Sequence, residues 1–277
     1  MVSEKQKVIR INNECVQELK DWFYSYVQTF KQHGEKEFQR NIVLKEEHTK
    51  RVCKEIISIG EQLGLGDDEL RLAEIMALFH DIGRFEQYAR YKTFVDRQSE
   101  NHAELGIKIL KRFGILNQFE EATKSLILRT IQYHNCVALP QDETETCLLF
   151  VKLLRDADKI DIWRVVTDYY HRKKGKRNGA LELDLPDTPV FSDAVYQDLI
   201  NKRIVDIKHI KNLNDFKLLQ IGWIFDINFE PTLHTICSRR YLEMIGDVLP
   251  KSGKIEKIFS IIYSYLDERL KLLNDRV

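Results

Sequence analysis

Four histidines sit where helical apolar faces are expected, and one of them is followed at once by an aspartate. His48 lies four residues from both Leu44 and Val52, and His80 follows Ala73, Met76 and Ala77. His102 stands ahead of Leu105, Gly106 and Ile109, while His134 continues the line Ile127, Thr130, Ile131. A single histidine on an apolar face is ordinarily a core residue with its hydrogen bonds met. Four of them, one per helix, form the set that neutral imidazoles use to hold a metal inside a helical bundle.

Carboxylates complete such a set. Asp81 is adjacent to His80 in "IMALFHDIG", and "LLFVKLLRDADKIDIWRVV" adds Asp156, Asp158 and Asp161. Asp158 has Val151, Leu154, Ile162 and Val165 at helical-neighbour spacing. An ionised carboxylate on such a face is costly unless a cation or donor meets it, which selects Asp158 as the ligand. Asp156 has Lys152 and Lys159 beside it and reads as an ordinary surface pair on the helix flank.

The elements that must carry these groups are helical. Apolar spacing of three and four dominates and period-two alternation is scarce, so the fold class is all-α. Val16, Leu19, Phe23, Tyr26, Val27 and Phe30 form one stripe; Leu44, Val52, Ile56, Ile59 and Leu63 form another, closed by Gly64. "GDDELRLAEIMALFHDIG" opens with aspartates suited to a helix N-terminus and is expected to stop at Gly83. Ser99 is the expected cap of "ENHAELGIKILKRFG", with further helices near 118–134 and 145–170. Two parts are expected: residues 1–170, a metal-binding helical domain with an N-terminal helix, and residues 171–277, a helical C-terminal extension.

Lys+Arg and Asp+Glu both number 43 in 277 residues, so no net field favours nucleic acid or an anionic membrane. The start "MVSEKQKVIRINNE" lacks the apolar block of a signal peptide, and no apolar run reaches spanning length. Five cysteines, an odd number without a CxxC pair, suit a reduced, cytoplasmic protein. The short run "HRKKGKR" reads as a solvated loop.

His48, then His80–Asp81, then Asp158 is similar to the H…HD…D signature of the HD-domain superfamily of metal-dependent phosphohydrolases, over roughly residues 40–165. His102 and His134, lying between, resemble the two extra histidines of its binuclear members. What the resemblance implies is one divalent ion held by His48, His80, Asp81 and Asp158, and a second held by His102 and His134 with Asp81 bridging. Imidazole and carboxylate together suit Fe, Mn or Zn, with Mg a further candidate. The implied activity is hydrolysis of a small-molecule phosphate ester, a nucleotide among the candidates, with no nucleic-acid or membrane partner. Lys159 resembles the phosphate-contacting lysine of some HD phosphohydrolases; the alternative is a surface lysine paired with Asp156. Asn135 stands where cyclic-di-GMP phosphodiesterases of the superfamily carry another histidine, and their GYP motif is absent.

In "RFEQYARYKTFVDRQ", Arg84 could offer a planar donor fork to a phosphate, and Tyr88, Tyr91 or Phe94 a ring to a base; the other reading is a solvated loop anchored by its aromatics. Two further readings of the whole chain stand beside hydrolysis. Diiron oxygenases of the same superfamily share the four-His, two-Asp set, and a metal-stabilised binding module would need no catalysis.

Overall fold

The structure, a computed structural model, describes residues 11–32, 34–172 and 177–274. The first ten residues and most of the expected "HRKKGKR" loop lie outside the described residues. Those described contain helices and no strand, so the chain is all-α as its periodicity requires. They fall into two compact units, Met1–Ala157 and Asp158–Val277.

The first unit holds α1 (Asn13–Lys31), α2 (Lys36–Gln62), α3 (Asp67–Phe79), α4 (Ile82–Tyr91), α5 (His102–Arg112) and α6 (Glu121–Tyr133). α7 (Glu145–Tyr170) begins in this unit and runs through the division. Two of the helix starts have a clear local reason. Asn12 caps α1 by accepting from the Cys15 amide at 2.8 Å, and Glu69 reaches back to the Gly66 amide at 2.9 Å before α3. α2 ends on Gly64 at φ +75°, a left-handed conformation that favours glycine. α2 packs on α3, α4 on α5, and α1 lies against α2 and α3. Their shared core includes Phe23, Val52, Ile56, Leu72, Met76, Phe79 and Phe85, all fully buried.

Two expected boundaries move. α3 does not continue to Gly83: it ends at Phe79, His80 closes it, and Asp81 at φ −107°, ψ 14° turns the chain into α4. Residues 84–91, one reading of which was a loop, are therefore helical. Gly83 is a packing residue instead of a stop, since a Cβ on it would meet the His102 carbonyl oxygen at 2.1 Å. Ser99 does not cap α5. Asn101 does, its Oδ1 accepting from the Ala103 and Glu104 amides at 2.9 and 3.2 Å, because Ser99 lies two residues too early and is bonded to the Val95 carbonyl. Asn101→Ala should cost about 1 kcal/mol of stability by chemical denaturation, the usual loss for an N-cap.

The second unit continues α7 and adds α8 (Gly179–Glu182), α9 (Asp193–Ile200), α10 (Leu213–Gly222), α11 (Glu230–Ser238), α12 (Tyr241–Asp247) and α13 (Gly253–Asn274). Trp163 is fully buried and donates from Nε1 to the Gln220 carbonyl at 3.0 Å. Pro231 sits in the first turn of α11, where its missing N–H costs nothing. The helical stretch 230–246 breaks into α11 and α12 at Arg240, which takes φ +56°. No helix among the described residues is long and apolar enough to cross a membrane.

Candidate metal centre

The bend between α3 and α4 lets neighbouring side chains converge. On an unbroken helix consecutive residues point about 100° apart. At the bend, His80 Nε2 instead lies 3.6 Å from Oδ2 of Asp81. α2 brings His48 Nε2 to 3.5 Å from the same oxygen, and α5 opens on His102, whose Nε2 lies 3.4 Å from Asp81 Oδ1. His134 closes α6, with its Nε2 3.1 Å from that of His102. Asp81 thus turns one oxygen to His48 and His80 and the other to His102.

All five groups are buried, between 0% and 6% exposed, a depth at which an unmatched charge would be expensive. Two clusters result in which every residue offers a ligand atom within 4.8 Å of the others: His48, His80 and Asp158, and Asp81, His102 and His134. Asp158 is carried on α7, one residue past the division between the units.

The hydrogen bonds behind the rings decide what the rings present. His80 Nδ1 is 2.7 Å from the Ala77 carbonyl, and His134 Nδ1 lies 2.6 Å from that of Ile131. His102 Nδ1 faces Asp96 Oδ2 at 2.7 Å. Each partner only accepts, so each Nδ1 carries a proton, and a ring protonated there alone turns a bare Nε2 lone pair inward. Two such lone pairs meet at the 3.1 Å contact between His102 and His134. That arrangement repels unless a proton or a metal ion lies between them, and imidazole with carboxylate is a donor set that divalent transition ions accept. The residues present fit a metal.

Electrostatics point the same way. Burial pushes the Asp81 carboxyl up, but Lys45, His80, Arg84 and His102 outweigh it and hold the group well below the usual carboxylate range. Burial, aided by the Arg84 charge, lowers His102 even against the Asp96 and Asp81 carboxylates.

Lys45 escaped the sequence reading. Its Nζ is 2.7 Å from Asp81 Oδ2 and 5.5 Å from the Phe94 ring centroid. The available signal was its place one helical turn before His48, on the same face of α2. Asp96 was also passed over. It lies on a 3-10 turn, Asp96–Gln98, between α4 and α5.

Other expected residues sit in different company. Arg84 donates from Nη1 to Asp96 Oδ1 at 2.7 Å, to Gln87 Oε1 at 2.9 Å and to the Phe94 carbonyl at 2.5 Å. Lys159 pairs with Asp226 at 2.8 Å. Asp156 is fully buried and Asp158 only half-buried, which corrects the picture of Asp156 as a surface flank. Of the apolar neighbours of Asp158, Val151 and Leu154 are fully buried while Ile162 and Val165 are half-buried, so neighbour type misjudged depth. Tyr88 is buried, stacks on Phe38 and Phe94 with centroids at 5.6 and 4.6 Å, and takes a hydrogen bond from Asn41, which makes it a core ring. Tyr91 is exposed.

Among known protein families, the model described as HD domain matches residues 46–163, a span that contains every residue of both clusters. Comparison with curated proteins and with solved structures returns no match. HD domains bind divalent metals, and most are metal-dependent hydrolases.

Proposed function

We propose that the chain, whose residues 46–163 match the HD-domain family, is a phosphohydrolase cleaving a nucleotide or another small phosphate ester with two divalent ions, of Fe, Mn or Zn. The observation that carries this reading is the shared carboxylate: Asp81 lies 3.4 Å from His102 on one oxygen and 3.5 and 3.6 Å from His48 and His80 on the other. One group between two clusters is the arrangement a two-ion site needs.

When bound, the ions would lower the pKa of a water and neutralise charge on the phosphoryl group. The chain's own residues prepare that event. His48, His80 and Asp158 would hold one ion; His102 and His134 would hold the other, with Asp81 common to both. The Nδ1 protons of His80, His102 and His134 are committed to acceptors behind the rings, so the rings neither rotate nor bring a proton to the reacting centre. Asp81 remains ionised.

Lys45 supplies the nearest mobile positive charge. With Asp81 engaged in holding metal, the Lys45 ammonium would be available to balance charge on phosphoryl oxygens. Its side chain is 18% exposed, enough to reach a substrate. Lys159 can contribute in the same way only by leaving Asp226, and Arg84 only by leaving Asp96. This ranks Lys45 first among the phosphate-facing cations.

The test is an anaerobic panel of nucleoside mono-, di- and triphosphates and p-nitrophenyl phosphate, with the chain reconstituted in Mn²⁺ or Zn²⁺ and phosphate release measured. At least one substrate should turn over, and Lys45→Met should slow it about 10²-fold, the order expected for one lost electrostatic donor. No release on any substrate, together with iron-dependent oxygen uptake, would replace hydrolysis with oxygenase chemistry.

A further inference from the structure

Asp96 holds together four separate parts of the first unit. Its Oδ2 lies 2.7 Å from His102 Nδ1 and accepts from Asn135 Nδ2 at 3.4 Å. Its Oδ1 accepts from Arg84 Nη1 at 2.7 Å and from Gln87 Nε2 at 2.9 Å. Gln87 is fully buried, and its amide also reaches Ser99 Oγ and the Glu100 carbonyl at 2.9 and 2.8 Å. Asn135, next to His134, bonds as well to Asn101, the cap of α5, at 3.2 Å.

Arg84 extends the network inward, since its Nε is 3.4 Å from Asp81 Oδ1 while its Nη1 holds Asp96. One guanidinium therefore spans the shared carboxylate and the carboxylate behind His102. A loop anchor alone would need only the Oδ1 side of Asp96. The other oxygen is aimed at the back of an imidazole whose front faces His134.

We infer that Asp96 is a positioning residue for the His102–His134 half of the centre, fixing His102 in its Nδ1-protonated tautomer and aiming Nε2 at the cation. This rests on the two-ion reading above. The physical reason is general: a carboxylate hydrogen-bonded to the far nitrogen of a ligating imidazole sets its orientation and raises its basicity. Behind His80 and His134 the Nδ1 atoms lie against the backbone carbonyls of Ala77 and Ile131. Behind His102 that partner carries a charge. The half-site it serves should be correspondingly sensitive to loss of that charge.

The experiment titrates the full-length, metal-stripped chain with Zn²⁺ by calorimetry and counts the bound equivalents by elemental analysis. Wild type is compared with Asp96→Asn and Ser99→Ala. The second variant loosens the same turn, by removing the Ser99 bonds to Val95 and Gln87, without touching His102. Asp96→Asn should keep one equivalent at wild-type affinity and bind the second about 10–100-fold more weakly. In the Zn²⁺-loaded protein, ¹⁵N–¹H correlation spectra should show the His102 Nδ1 proton shifted or lost to exchange, with the His80 pattern kept. Ser99→Ala should lower the melting temperature and keep both equivalents. An unchanged second equivalent in Asp96→Asn, or an equal loss in Ser99→Ala, overturns the positioning role while the two-ion reading stands. A wild type that binds fewer than two equivalents overturns the two-ion reading and this proposal with it.

Discussion

Asp81→Asn should reduce turnover at least about 10³-fold and leave the protein short of metal, the largest functional loss expected from any single substitution in the chain. The substitution conserves shape, so the effect isolates charge and donor atoms. Asp81 offers one oxygen to each cluster, and an asparagine can offer only one oxygen in total. Its amide nitrogen would have to face either His102 or the His48–His80 side, presenting hydrogens where a cation should bind. The change also strips a counter-charge from Lys45, 2.7 Å away, and from Arg84, at 3.4 Å. Breaking a buried pair by removing one partner is commonly costly, so the melting temperature of the metal-free protein should fall as well. Metal content by elemental analysis and turnover on the best phosphate ester check the expectation. A variant that retains both ions and stays within tenfold of wild type would show that Asp81 is not the shared ligand.

Gly83→Ala should be the most damaging single-methyl change in the first unit. The added Cβ would fall 2.1 Å from the His102 carbonyl oxygen, 2.7 Å from the Gly106 amide nitrogen and 3.1 Å from the His102 carbonyl carbon. All three are backbone atoms of α5, so no side chain can swing away and the two helices must separate. Overpacking of a core typically costs about 1–3 kcal/mol, and a rigid backbone obstacle belongs at the upper end. A loss of about 3 kcal/mol corresponds to a fall in melting temperature of roughly 6–12 °C for a protein of this size class. The damage reaches the centre directly, because the residue displaced is His102 itself. Gly106→Ala supplies the contrast: its Cβ would first meet Ile82 Cγ2 at 3.1 Å, a contact that can give by a few tenths of an ångström. Scanning calorimetry and Zn²⁺ affinity should both rank Gly83→Ala well below Gly106→Ala, and equal behaviour would refute the close-approach argument.

The comparison of these two glycines marks what the chain's linear order can reveal. Apolar spacing located the helices because burial of one face imposes a 3.6-residue period on each helix separately. It also put His48, His80, His102 and His134 on apolar faces, which is where the structure has them buried. Local signals of termini were partly legible: aspartates opened α3 and Gly64 closed α2, because capping is decided within a few residues. Gly83 carried the same letter as a terminator, yet its reason lies in α5, some twenty residues on, at a helix crossing that no local pattern encodes.

Tertiary structure alone decided how the polar atoms pair. Lys45 meets Asp81 across 36 residues, and Asn135 meets Asp96 across 39. Lys159 meets Asp226, far from it along the chain. Neighbour composition likewise misjudged the depth of Asp156 and Asp158, because exposure on α7 depends on what covers each face, not on which residues flank it. The tautomers of His80, His102 and His134 follow from acceptors behind the rings, and the Asp96 carboxylate behind His102 comes from a turn whose only sequence mark is an unremarkable "VDRQ". The sequence determined which chemistry-bearing residues lie on which helical faces. The packing of those helices decided which atoms confront one another, because distances of 3 Å between residues far apart in the chain are set by crossing geometry, to which a one-dimensional period is blind.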